Sequence, residues 1–371
     1  MEINQLLKAA VEQGASDLHL TVNLAPVLRI DGRLLPLQMP PLQEDDVVRL
    51  VNAVLSRDKL NIFEERGEVD LSYELPESGY FRINVYRQRG SIGAAFRVIR
   101  TSVATLADLG LPDSVAALAR RQRGLILVTG PAGSGKSATL AAMTDLINRE
   151  REYHVITLED PIEYLHRHNR SMITQREIGR DSKSFPAALR AALRQDPDVI
   201  MVGEMRDLET ISIAVTAAET GHLVMATLHT SSAAQTVERI IDIFPHNRQD
   251  QIRVQLASSL AGVISQRLLQ RKEGPGRVPA VEVLTCTPAV RNLIRDGKIH
   301  QINSYMQTGA RHGMQTMDKH LQILVDQGII SSEEALEHCL DKDNMLAYLK
   351  NNIAPPNYAA NGPLQMRMPG A

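Results

Sequence analysis

Gly130-Pro-Ala-Gly-Ser-Gly-Lys136-Ser137 has the residue types and the spacing to hold a polyphosphate. The pattern is G-x-x-x-x-G-K-[ST], a phosphate loop. Its glycines let the backbone close around an anion, and successive N–H groups turn inward as a nest. A helix starting after the loop adds partial positive charge at its N-terminus. The expected cradle is Ala132, Gly133, Ser134, Gly135, Lys136, Ser137 and Ala138. Lys136 brings a full charge to the β- and γ-phosphates, and Ser137 offers a hydroxyl to Mg²⁺. ATP and Mg²⁺ are the ligands this chemistry expects. The surroundings suit the motif: Leu125-Ile-Leu-Val-Thr129 reads as a buried strand and Ala138–Met143 as a helix.

Two carboxylate groups follow. His154-Val-Ile-Thr-Leu-Glu159-Asp160-Pro161-Ile-Glu163 is an apolar strand ending in acid, and Pro161 stops its ladder. Ligands of open α/β sheets sit beyond the carboxyl ends of strands, where Mg²⁺ or an attacking water would be. A solvated acidic turn is the plainer alternative. Asp196-Pro-Asp-Val-Ile-Met-Val-Gly-Glu-Met-Arg-Asp207 is a second such strand. Gly203 stands where a strand-terminal Asp is usual, so Glu204 must coordinate the metal through water, activate water, or both. His222-Leu-Val-Met-Ala-Thr-Leu-His229-Thr230 is a third strand, flanked by histidines. A histidine at a strand end is more often structural, but His229 is placed to sense a γ-phosphate.

The remaining candidates lie near the N-terminus. Phe81, Ile83 and Val85 alternate with Arg82, Asn84 and Tyr86, and Phe96 and Val98 flank Arg97. If Arg89-Gly90 is a two-residue turn, Arg82 faces Arg97 directly. Like charges opposite each other are destabilising. Either both are solvated on an outer face, or the pair expects an anion such as the nucleotide phosphates.

The elements that must position these groups divide the chain. Residues 1–100 read as a small α+β domain, with a helix from Ile3 to Val11, a strand from Asp17 to Thr21, and a hairpin turning at Asp31-Gly32. Residues 101–115 read as a linker and 116–350 as the ATPase domain, with helical patterns over 248–270, 288–296, 316–327 and 332–350. Residues 351–371 hold four prolines and one charge, and read as a disordered tail. The 371 residues are 43% hydrophobic and 23% charged, with net charge −2, which argues against a protein that coats nucleic acid. Cys286 and Cys339 stand far apart in no C-x-x-C pattern, which excludes a Cys₄ site and suits a reducing compartment. No signal peptide and no apolar run near 18 residues is evident, so a cytoplasmic protein is expected.

Four segments together resemble the secretion-type traffic ATPases: the phosphate loop, Leu158–Glu163, Asp196–Asp207, and Thr216-Ala-Ala-Glu-Thr-Gly-His-Leu-Val-Met-Ala-Thr-Leu-His-Thr230. In that family the last three are the Asp box, Walker B and His box. The chain is most similar to the type IV pilus retraction ATPases, the PilT type of twitching motility. Gln13-Gly-Ala-Ser-Asp-Leu-His-Leu20 resembles their opening, and Pro288-Ala-Val-Arg-Asn-Leu-Ile-Arg295 resembles a motif linked to retraction, with Val290 where Ile is common. The resemblance implies a PAS-like N-terminal domain, a RecA-like P-loop ATPase domain with C-terminal helices, and a homo-hexamer. It implies ATP between the domains, with Arg82 and Arg97 approaching the phosphates. It also implies an inner-membrane platform protein as partner, and so a protein peripheral to that membrane. Ala132 and Ala138 stand where the family often has threonine, but neither supplies the essential charge or the metal hydroxyl.

The expectation is ATP hydrolysis driving pilus retraction. Glu163 or Glu159 orients or deprotonates the water, with Glu163 favoured, while Glu204 and Ser137 hold Mg²⁺. Arg82 and Arg97 stabilise transferring charge, and His229 senses the γ-phosphate. The rivals are an accessory paralogue that needs a partner ATPase, a pilus or type II secretion assembly ATPase, a non-hydrolysing module, and a RecA-like ATPase on DNA. The assembly enzymes usually carry a Cys₄ site and a long N-terminal extension, and no aromatic-basic stacking platform for a single strand is evident.

Overall fold

The structure is a computed structural model and describes residues 2–352 except 31, 77, 78, 100 and 101. Most of the expected tail lies outside the described residues. By internal contacts the described chain falls into two compact units. One comprises residues up to Leu127 with Lys136–Leu228 and Ser258–Ala261; the other comprises Val128–Gly135, His229–Ala257 and residues from 262 onward.

Within the first unit, the N-terminal hundred residues keep a hydrophobic core of their own. They run α1 (Ile3–Glu12), β1 (Asp17–Leu20), β2 (Val27–Ile30), β3 (Arg33–Pro36), α2 (Glu44–Asn52), α3 (Arg57–Arg66), β4 (Glu68–Leu75), β5 (Gly79–Gln88) and β6 (Ser91–Ile99). The six strands form an antiparallel sheet in the order β3-β2-β1-β6-β5-β4. Its alternation is the reason for its shape. Phe81, Ile83, Val85 and Phe96 are fully buried, whereas Arg82 and Arg97 are exposed. One face takes the core and the other meets solvent. Ser91 pairs with Gln88, so the turn is Arg89-Gly90. Both residues have positive φ, 47° and 82°. Tight hairpin turns of this kind match the twist of the flanking strands.

The next stretch alternates strands and helices: α4 (Asp113–Ala119), β7 (Gly124–Thr129), α5 (Lys136–Glu150), β8 (His154–Glu159), β9 (Met172–Glu177), α6 (Phe185–Ala192), β10 (Val199–Val202), α7 (Leu208–Glu219) and β11 (Leu223–Leu228). Strands β7, β10 and β11 are buried at every position, as parallel strands covered on both faces are. Strand β10 pairs in parallel with β8 and β11, and β9 pairs in parallel with β8. Asp207 caps α7, accepting from the Thr210 amide at 2.8 Å, and Ser184 caps α6.

The chain continues with α8 (Ala233–Asp242), α9 (His246–Ser259), β12 (Leu260–Gln270), β13 (Arg277–Thr285), α10 (Pro288–Arg295), α11 (Ile302–Thr308), α12 (Met317–Asp326), α13 (Ser332–His338) and α14 (Lys342–Asn352). The helix expected over 248–270 is therefore half wrong. It stops at Ser259, and residues 260–270 form a strand antiparallel to β13. Buried on both faces for most of its length, this strand has no clean alternation to betray it. The helix expected over 332–350 is two helices, broken at Cys339, whose backbone is extended. The larger sheet has seven strands in the order β13-β12-β7-β11-β10-β8-β9.

Candidate active site

The phosphate loop leaves β7 at Gly130 and enters α5 at Lys136. Gly130, Gly133 and Gly135 all have positive φ, at 144°, 75° and 88°. A Cβ on Gly130 would lie 2.2 Å from the Gln266 carbonyl oxygen, and one on Gly135 would lie 2.8 Å from Gln266 Nε2. Gln266 Nε2 also donates to the Ser134 carbonyl at 2.8 Å. This β12 side chain braces the loop, and it was hidden by the helical reading of residues 248–270. The Ser134 hydroxyl is buried and makes no hydrogen bond to protein. A glycine cradle with an orphaned hydroxyl fits a phosphate group, because a buried polar atom needs a partner. Ala132 and Gly133 are exposed, and Ser137 and Ala138 are half-buried.

Lys136 is 9% exposed. Burial is the largest influence on its ammonium and lowers its pKa, while the charges of Glu163 and Glu204 oppose that shift. Glu163 and Glu204 thus both lie within electrostatic reach of Lys136. Glu204 lies just past the end of β10, its side chain 17% exposed, with Arg206 Nε 2.7 Å from its Oε1. The missing strand-terminal carboxylate has a steric reason. A Cβ on Gly203 would lie 3.2 Å from the Leu158 carbonyl oxygen and 3.4 Å from Glu159 Cα. Gly203 N–H donates to that carbonyl at 2.7 Å, and Thr227 Oγ1 donates to the Gly203 carbonyl at 2.5 Å. The oxygen donors present, the Ser137 hydroxyl and the Glu204 carboxylate, suit a hard cation such as Mg²⁺.

Glu159 and Glu163 have different surroundings. Glu163 is exposed. Glu159 is only 8% exposed, and its Oε1 accepts from Thr157 Oγ1 at 2.6 Å and Gln175 Nε2 at 3.1 Å. Burial drives its pKa up to about 7, against the hydrogen bonds from Thr157, Gln175 and the Glu163 backbone. Between them is the cis Asp160-Pro161 peptide.

Arg82 and Arg97 are cross-strand partners, as the turn required. They belong to a row across the exposed face of the N-terminal sheet: Arg29, Asp17, Arg97, Arg82 and Ser72 on β2, β1, β6, β5 and β4. The pair is not unneutralised. Asp17 Oδ1 lies 3.0 Å from Arg97 Nε, its Oδ2 lies 4.0 Å from Arg29 Nε, and Asp70 Oδ1 lies 3.9 Å from Arg82. Arg82 lines a cleft of about 690 Å³ with Asp160, Pro161, Glu177 and Arg180. His229 is exposed directly after β11. His222, before that strand, contacts the Ala217 carbonyl at 3.0 Å through Nδ1, at the strand end opposite the acids.

The family described as type II/IV secretion system protein matches residues 1–337. The chain belongs to that family. It is 48% identical over 344 residues to the type IV pilus retraction ATPase PilT of Pseudomonas aeruginosa, covering 93% of this chain and 100% of that one. It is 40% identical over 350 residues to the type IV pilus ATPase PilU of the same organism, covering 94% and 92%. Among solved structures, the pilus retraction motor PilT with bound ADP superposes with a TM-score of 0.86 at 50% identity, covering 93% of this chain and 98% of that one. The resemblance drawn from the motifs therefore holds over nearly the whole chain, and with it the mixed α/β ATPase fold. No helix among the described residues is long and apolar enough to cross a membrane.

Proposed function

We propose that this chain is an ATP-hydrolysing motor that powers retraction of a type IV pilus. The observation that carries the reading is the positive-φ glycine cradle of the phosphate loop, with its buried Lys136 and a Ser134 hydroxyl that makes no hydrogen bond to protein. Its support is the whole-length similarity to a pilus retraction ATPase. The loop amides of residues 132–138 and Lys136 hold the triphosphate. Ser137 and Glu204 would hold Mg²⁺, Glu204 through water, and a bound ion would supply positive charge to the phosphates. Glu163, open to solvent and within electrostatic reach of Lys136, orients and deprotonates the attacking water. Glu159, near its half-protonation point at neutral pH, anchors the Glu163 backbone. Arg82 and Arg97 stabilise charge on the transferring phosphoryl group. His229 senses the γ-phosphate.

The working assembly in this reading is a homo-hexamer on the cytoplasmic side of the inner membrane, engaged with a platform protein of the pilus machine. Residues 1–100 form a PAS-like domain, 101–115 a linker and 116–350 the ATPase domain. An accessory paralogue dependent on a second ATPase has weaker support, since identity to PilU is 40% against 48% to PilT. The test is Mg²⁺-dependent ATPase activity of wild type beside Glu204→Ala, with mass measured in the same buffer. Turnover at sixfold mass, lost in the variant with ATP binding retained, is expected. A folded, ATP-binding wild type without turnover refutes the autonomous motor.

A further inference from the structure

Glu177 is a buried carboxylate to which the reading above gives no task. It ends β9 and is the parallel cross-strand neighbour of Glu159. It is 7% exposed. Its Oε1 accepts from the Ser72 hydroxyl at 2.5 Å, and its Oε2 accepts from the Ile162 amide at 3.3 Å. Ser72 lies on β4 directly opposite Arg82, and Ile162 directly precedes Glu163. One carboxylate thus ties the strand beside an arginine to the loop that bears the favoured water-activating acid.

A second link ties the turn after β9 to strand β5 of the N-terminal sheet. Arg180 donates to the Tyr80 hydroxyl, and its guanidinium stands 5.7 Å from the Tyr80 ring centre. The turn that carries Glu177 and Arg180 is itself braced. Glu177 N–H donates to Asp181 Oδ2 at 2.8 Å, and Gly179 N–H donates to the Ser182 carbonyl at 2.7 Å. Removing a buried acceptor strands its donors at the full desolvation cost. The Glu177 tie is therefore a stiff spacer and not an incidental contact.

We infer that Glu177 is a positioning residue for hydrolysis, holding the Glu163 loop at a set distance from the strand beside Arg82. The inference rests on the ATPase reading above. Its action is through hydrogen bonds, not charge. A glutamine is the same shape: its oxygen can accept from Ile162 and its amide can donate to the Ser72 oxygen. Alanine severs both contacts. Misplacement by about 1 Å at a distance from the chemistry can cost on the order of a hundredfold in rate.

The experiment measures kcat and KM for ATP in the full chain carrying Glu177→Ala, Glu177→Gln, Ser72→Ala, or Ser72→Ala with Glu177→Ala. Glu177→Ala should lose about tenfold or more in kcat with KM changed less than about twofold, since the phosphate loop is untouched. Glu177→Gln should recover most of that loss, and the double variant should be no slower than Glu177→Ala alone. Should Glu177→Ala fail to fold, Ser72→Ala against Ser72→Thr makes the same comparison: threonine restores the hydroxyl and should restore kcat. Unchanged kcat in Glu177→Ala overturns the inference while leaving the ATPase reading intact. So does a Glu177→Gln variant as slow as alanine, or additive losses in the double variant. A wild type that binds ATP without hydrolysing it overturns both.

Discussion

Glu159→Gln should make the protein more stable at alkaline pH. The folded pKa of Glu159 is raised from 4.5 to about 7, first by burial. The folded state therefore binds more protons than the unfolded state between those values. Stability falls as pH rises through this window, and the loss levels off above it. A shift of this size corresponds to about 3 kcal/mol in full, at roughly 1.4 kcal/mol per pH unit. Glutamine carries no charge and removes that cost. It keeps an oxygen to accept from Thr157 and Gln175, but it gives up one acceptor position. The contact at risk is the one made by the Glu163 backbone, at a loss of about 1 kcal/mol. The net gain at pH 8 is then about 2 kcal/mol, and near pH 5 the variant is level with wild type or slightly weaker.

Thermal unfolding without nucleotide, at intervals from about pH 5 to about pH 8, measures this directly. At about 2 cal/mol/K of unfolding entropy per residue, a chain of 371 residues shifts by roughly 1 °C per kcal/mol. The variant-minus-wild-type difference in Tm should therefore rise by about 2–3 °C across the window. A difference flat across it would mean that Glu159 ionises like an exposed carboxylate, and would refute the argument from burial.

Two further outcomes follow from the geometry. Gly203→Val should lower Tm and cut turnover together, because a Cβ would press the Leu158 carbonyl at 3.2 Å and displace the backbone that carries Glu159; kinetics and melting on one preparation check this. Asp17→Asn should cost about 1–2 kcal/mol, less than a fully buried pair, because Arg97 is 67% exposed. It leaves Arg29, Arg97 and Arg82 in one row without the acid that now separates Arg29 from Arg97. Added pyrophosphate should raise the Tm of Asp17→Asn more than that of wild type, and equal responses would argue against an anion at this row.

The parts of the site that were legible in the sequence are those set by local rules. The phosphate loop is a contiguous motif, and the three strands before Glu159, Glu204 and His229 are apolar runs with abrupt polar ends. The facing of Arg82 and Arg97 followed from a two-residue turn, because turn length fixes register and register fixes face. What stayed hidden was set by partners distant in sequence. Strand β9 carries Thr174, Gln175, Arg176 and Glu177, too polar to read as a sheet strand, yet it pairs along all six residues with β8. Strand β12 failed for the opposite reason, being apolar on both faces. Gln266 and Glu177, which brace the phosphate loop and the Glu163 loop, were lost with those two strands.

The carboxylates show why spacing alone could not assign roles. In the sequence Glu159, Glu163 and Glu204 are acids at or just past strand ends, with Glu163 favoured for water and Glu204 for the metal, but nothing there shows which of them is buried. Folding separates them by solvent. Glu159 is closed in by Thr157 and Gln175 and its pKa is pushed up to about 7 by burial, so near neutral pH it is a poor permanent counter-charge for a metal. Glu163 is open to solvent, and Glu204 is nearly covered and paired with Arg206. Acid and base assignments come from environments that push titratable groups apart, and here the environment of Glu159 is made by a strand that the sequence did not announce. A site of this kind is half motif and half sheet pairing, and the pairing decides which of its acids is closed off from water.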